Sequence, residues 1–89
     1  MHVTRVSASV EDNSTAIEIL GLLDDPPDGL TVLIELPDGE ERSTVLMVWD
    51  PPESHAKFVE ERMMPNLENL QRLEGGPMPF EPLRLFVRG

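Results

Sequence analysis

The stretch Val45-Leu46-Met47-Val48-Trp49 constrains this chain most: five consecutive residues are apolar and β-branched or bulky, with no polar alternation. A strand facing water on one side alternates, so this one reads as covered on both faces. It runs into Asp50-Pro51-Pro52-Glu53, which offers an N-cap, a proline at the first helical position and an acid at N3. The longest amphipathic pattern follows, from Pro51 to about Leu73, with Pro65 inside it. A proline there removes a ladder bond and crowds the preceding turn, so a kink or break is expected between Glu61 and Pro65.

The other elements arrange themselves around this pair. His2 to Val10 reads as a first strand. Glu11 to Ser14 supplies caps for a short helix on Ala16, Ile17, Ile19, Leu20 and Leu23, weakened by Gly21 and ended by Pro26-Pro27. A second strand, Leu30 to Leu36, sets Leu30, Val32, Ile34 and Leu36 on one face. Pro37-Asp38-Gly39-Glu40 is a hairpin loop leading into a third strand from Arg42 to Trp49. After a loop at 75–79, Leu83, Leu85 and Val87 alternate with Arg84, Phe86 and Arg88 as a last strand. The predicted order is βαββαβ, an α+β, ferredoxin-like fold in a single domain over residues 1–89. It has a four-stranded antiparallel sheet with two helices on one face and strands one and three at the centre.

Two helices cover one face of such a sheet. Leu33 and one face of the third strand, either Val45, Met47 and Trp49 or Leu46 and Val48, are then left open. An exposed apolar face of that size predicts a homodimer through the sheet face. Charge narrows the other partners. Seventeen acids against seven bases give a formal net charge of −10, which excludes phosphate-backbone binding and anionic membrane surfaces. No cysteine is present, so disulfides, thiolate metal sites and a cysteine nucleophile are excluded. With no signal-peptide pattern and no run of spanning length, a cytoplasmic protein is expected.

The stretch from Pro27 to Leu67 resembles the dimeric α+β barrel superfamily, and within it the proteins similar to antibiotic-biosynthesis monooxygenases. Pro27-Asp28-Gly29-Leu30 looks like the approach to their second strand, Asp38-Gly39 like their hairpin, and Val48-Trp49-Asp50 like the end of their third strand. Phe58-Val59-Glu60-Glu61-Arg62 followed by Pro65 and Leu67 looks like their second helix. The resemblance implies a dimeric barrel and a cofactor-free, monooxygenase-like or isomerase-like activity on a hydrophobic aromatic molecule. The chain departs from the family's catalytic sets. Phe58 stands where haem-degrading relatives have a His, no Asn lies in the first strand, the chain has no Tyr, and Leu33 replaces a His found in other relatives. Those sets therefore do not transfer.

The candidate site follows from the helical wheel. At about 100° per residue, Phe58, Val59, Met63, Leu67 and Leu70 form an apolar arc, with His55, Arg62 and Asn66 in or beside it. These residues and Trp49 are expected to face one cavity between helix and sheet. His55 would act as a base and Arg62 as an anion clamp, with Trp49, Phe58 and Asn66 binding a planar acidic or phenolic ligand. The alternative is structural: His55 as a first-turn residue, Arg62 paired with Glu61, Glu60 or Asp50, Asn66 following the Pro65 kink, and Trp49 as core. On that reading the chain is a non-catalytic dimeric ligand-binding or assembly module. Asp24-Asp25-Pro26-Pro27-Asp28 spells a metal–diphosphate motif, but its central prolines make it a solvated turn. No metal and no cofactor are expected.

Overall fold

The structure, a computed structural model, describes residues 1–73 and 81–83. The predicted loop at 75–79 and most of the predicted last strand, residues 84–89, lie outside the described residues. Three antiparallel strands form the sheet, with β3 (Arg42–Trp49) between β1 (His2–Ser9) and β2 (Leu30–Pro37). Glu81–Leu83 runs antiparallel along the outer edge of β1. This α+β arrangement, with the apolar third strand in the middle, is compatible with a ferredoxin-like type.

Register assigns the two faces. Trp49 stands opposite His2 and Leu30, Met47 opposite Thr4 and Leu33, and Val45 opposite Val6 and Glu35. This is the helix-covered face, and Val45, Met47 and Trp49 are all buried there. Val48 stands opposite Val3 and Val32, Leu46 opposite Arg5 and Ile34, and Thr44 opposite Ser7 and Leu36. That second set makes the open face.

A bulge between Leu30 and Val32 splits the predicted row on β2. One extra residue flips the side chains beyond it to the other face. Leu30 therefore joins the helix side, while Val32, Ile34 and Leu36 face outward. Leu33, expected on the open face, instead packs against the core.

The first helix, α1 (Val10–Ile19), begins earlier than the apolar spacing from Ala16 suggests. Ser9 is its N-cap, accepting the Asp12 N–H at 3.0 Å, and Glu11 and Asp12 sit favourably against the helix dipole in the first turn. Asn13, read as capping material, is buried and ties α1 to the sheet. Its amide donates to the Ser43 carbonyl at 3.1 Å and to Ser43 Oγ at 2.7 Å, and Ser43 Oγ donates to Glu35 at 2.6 Å. Gly21 terminates the helix at φ 65°. The Leu22 N–H reaches the Ile17 carbonyl and the Gly21 N–H the Glu18 carbonyl, the paired bonds of a Schellman motif.

The second helical pattern is broken, as the proline implies. α2 (Glu53–Phe58) passes into a π-helical turn, Val59–Met63, and α3 (Leu67–Gln71) resumes beyond Pro65. The Met64 N–H bonds to the Val59 carbonyl, the wider i to i+5 spacing. The start differs from expectation: the Asp50–Pro51 peptide is cis, and α2 opens at Glu53 without a side-chain cap. Gly29 lets the chain pass close to this start, since a Cβ there would lie 2.0 Å from Ser54 Oγ.

The left-handed Gly21 gives the first prediction. Gly21→Ala should destabilise the protein by about 1–2 kcal/mol, the cost of an L-residue in that region. Urea unfolding at constant m-value measures it, and an unchanged midpoint would show that the turn relaxes.

Candidate functional site

Trp49 anchors the candidate site. It is fully buried at the end of β3, and its Nε1–H donates to Thr4 Oγ1 at 3.2 Å, so the indole's one donor is satisfied within the sheet. α2 brings two rings onto it. His55 and Phe58, three residues apart, share a helix face, with ring centroids 5.3 and 5.0 Å from Trp49. The β1 register adds a fourth ring, because His2 stands opposite Trp49 and its centroid lies 5.0 Å from that of His55. Sequence reading missed His2. Its signal lay in strand parity, which places position 2 on the face of Thr4 and Val6.

His55 is half-buried in this cluster, and its pKa is lowered from the ordinary 6.5. Burial is the main cause, since it disfavours the imidazolium, and charge on the neighbouring His2 adds to it. A neutral imidazole beside an indole can accept a proton, the role of a general base.

Arg62 does not join these rings. Its guanidinium turns to the segment after α1, where Nη1 donates to the Leu20 carbonyl at 3.0 Å and to the Asp25 carbonyl. Nη2 lies 3.5 Å from the Asp25 carboxylate. The sequence alternatives Glu60, Glu61 and Asp50 are not this partner. Asn66 donates to the Arg62 carbonyl at 2.8 Å, bonding a backbone acceptor at the helix break. A cleft of about 120 Å³ is lined by Asp25, Pro27, Asp28, Lys57, Phe58 and Arg62 among others, but neither Trp49 nor His55 lines it. Of the five candidate residues, the structure thus gathers Trp49, His55 and Phe58. It sets Arg62 and Asn66 to holding the break between α2 and α3.

Between α2 and the sheet, Trp49, Phe58 and Met47 are each at most 2 % exposed. These three side chains belong to the buried core between the helix and the sheet. Among the described residues, no group of three or more His, Cys, Asp or Glu could hold a metal ion. No described helix is long and apolar enough to cross a membrane. No protein-family model matches the chain, and neither characterised proteins nor solved structures provide a match.

Two outcomes follow. The His55 pKa is depressed by folding, so the folded state binds fewer protons than the unfolded chain around and below pH 6.5. The resulting stability is present above pH 6.5 and is lost as pH falls through the folded value. The stability difference between wild type and His55→Gln should therefore shrink on going from pH 7.5 to about pH 5. Parallel urea titrations across that range test this, and a constant difference would contradict it.

Arg62→Ala should cost about 1–3 kcal/mol through its two carbonyl partners, with little from the exposed Asp25 carboxylate. Arg72→Ala removes only an exposed i,i+4 pair with Glu68 and should cost less than about 0.5 kcal/mol. Equal small losses would show that the Arg62 fork is not holding the segment.

Proposed function

We propose that this chain is a non-catalytic assembly module that dimerises through the open face of its sheet, as the dimeric α+β barrel proteins it resembles do. The observation carrying this reading is how charge is sorted. Val32, Ile34, Leu36, Leu46 and Val48 share the open face by register, beside the buried Val3, and Arg5 and Arg42 are the charges on it. None of the chain's 17 acidic residues stands on that face of β1, β2 or β3. A protein of net charge −10 whose apolar row on β2 and β3 carries no carboxylate has a surface suited to a second copy. Two copies brought together elsewhere would repel. Val32, Ile34 and Leu36 are 42, 43 and 45 % exposed, so the face is open to a partner.

In this reading the sheet is the full four-stranded, ferredoxin-like one, with the segment that begins at Glu81 as its last strand. The close packing of Trp49, Phe58 and Met47 between α2 and the sheet supports the assembly reading.

A second reading keeps a cofactor-free, monooxygenase-like or isomerase-like enzyme. What favours it is the neutral His55 against Trp49 beside His2. There His55 would be the proton acceptor and Trp49 and Phe58 the apolar wall, with no metal or cofactor. The two readings part on ligand binding. Quenching of Trp49, the chain's one tryptophan, by phenolic ligands and its loss in His55→Ala would support the enzyme.

The assembly reading is tested by mass. Sedimentation at micromolar concentration should give about twice the 10.0 kDa chain mass. Ile34→Lys, in the middle of the apolar row, should give the monomer. A wild-type protein that is monomeric across that range would overturn the proposal.

A further inference from the structure

β2 is the outer strand of the described sheet: it pairs with β3 on one side and with no described residue on the other. Six of its eight residues are exposed. Alternate backbone N–H and C=O groups therefore face outward, where another strand can hydrogen-bond.

Beside this edge, on the helix side, a groove of about 290 Å³ opens between Glu35 of β2 and the outer side of α1. Ile17 and Leu23 form its apolar wall, and Leu23 is 67 % exposed. Glu18, Asp24 and Glu35 ring it, and among the described residues none of the three is ion-paired. Glu35 is fixed in place by the Ser43 hydroxyl, itself held by Asn13.

We propose that the β2 edge and this groove form a docking site for a basic, extended segment of a partner protein. The segment adds to the sheet as a strand beside β2. Its side chains then alternate between the two faces. Those on the helix side are Lys or Arg, laying their alkyl stems on Ile17 and Leu23 and their charges against Glu18, Asp24 and Glu35. Those on the other side are apolar and continue the row of Val32, Ile34 and Leu36.

Charge decides the occupant. An inward-pointing acid on an edge strand blocks pairing with a second copy, because two β2 edges would each bring a Glu35 and a net charge of −10. The same carboxylate favours a cationic strand. The site differs from the proposed dimer surface, which lies on the sheet's open face, and does not depend on it.

The test uses the full chain and three probes: an eight-residue peptide alternating Lys and Val, matching β2 in length, the same peptide with Glu for Lys, and spermine. The Lys peptide should bind, slow hydrogen exchange of the outward-facing amides in residues 30–37, and weaken as salt is raised. The Glu peptide should not bind. Glu18→Lys with Asp24→Lys, both at exposed positions, should weaken the Lys peptide by roughly tenfold or more while leaving the unfolding midpoint near wild type. Equal binding of the two peptides, binding without protection of 30–37, equal protection by spermine, or no binding at all would each overturn the proposal.

Discussion

The placement of Trp49 governs the rest of the molecule. An indole buries more apolar area than any other side chain, but it carries one N–H that cannot be left unpaired in the core. Thr4 satisfies that donor from the neighbouring strand, which fixes the register of β1 against β3 at their ends. With this pairing set, parity places Val6 and Ala8 toward the helices and Arg5 and Ser7 away from them. Phe58 and His55 then close over the ring from α2. One hydrogen bond and one aromatic cluster thus tie together the first strand, the third strand and the second helix.

From that registration comes the contrast between the two faces. The helix side takes the polar links that position elements, Asn13 to Ser43 and Ser43 to Glu35. Both Asn13 and Ser43 are at most 2 % exposed, so each bond avoids the penalty of an unsatisfied buried group. On the open side the middle of β2 meets β3 through aliphatic pairs, Val32 with Val48 and Ile34 with Leu46, and polar links stand only toward its ends, where Thr31 donates to the Val48 carbonyl and Thr44 to the Asp38 carboxylate. Cross-strand aliphatic pairs stabilise a sheet whether or not a partner covers them, but leaving them in water forgoes the transfer free energy of their outer surfaces. That unused burial is the physical argument for association.

Much of this was legible in the residues, and the misses have specific causes. The uninterrupted apolar run at 45–49 correctly marked β3 as the middle strand, and Pro65 correctly marked a break in the second helical region. The start of α1 is not legible in the apolar spacing, because Val10 extends the alternation of the first strand and Glu11 and Asp12 are polar, whereas the cap depends on a single serine side chain. Alternation alone points Leu33 to the open face, because a bulge leaves no composition signature in Leu-Thr-Val-Leu, and one added residue reverses parity. At the candidate site, wheel geometry brought His55 and Phe58 to one face. It assumed a regular 100° per residue, however, and the π-helical turn at Val59–Met63 breaks that assumption just where Arg62 lies.

The π-helical turn also bears on what chemistry the chain can perform. Met64 bonds back five residues, Pro65 contributes no N–H, and the Asn66 side chain bonds the Arg62 carbonyl. Along this widened turn the Arg62 side chain reaches across to the carbonyls of Leu20 and Asp25, beside the left-handed Gly21. A Cβ on Gly21 would meet Arg62 Nη1 at an ordinary contact distance of 3.4 Å, so it is the left-handed φ of 65° that calls for glycine here. Helix break, arginine and glycine therefore meet at one joint between the second helical segment and the end of α1. An arginine engaged by two carbonyls is a poor clamp for a ligand anion, because binding the anion would first require giving up those bonds. Of the predicted catalytic pair, His55 alone is left beside Trp49, with its protonated form disfavoured by burial. On the helix side the described residues thus hold one imidazole beside a buried indole, and on the other side of the sheet the exposed row Val32, Ile34 and Leu36.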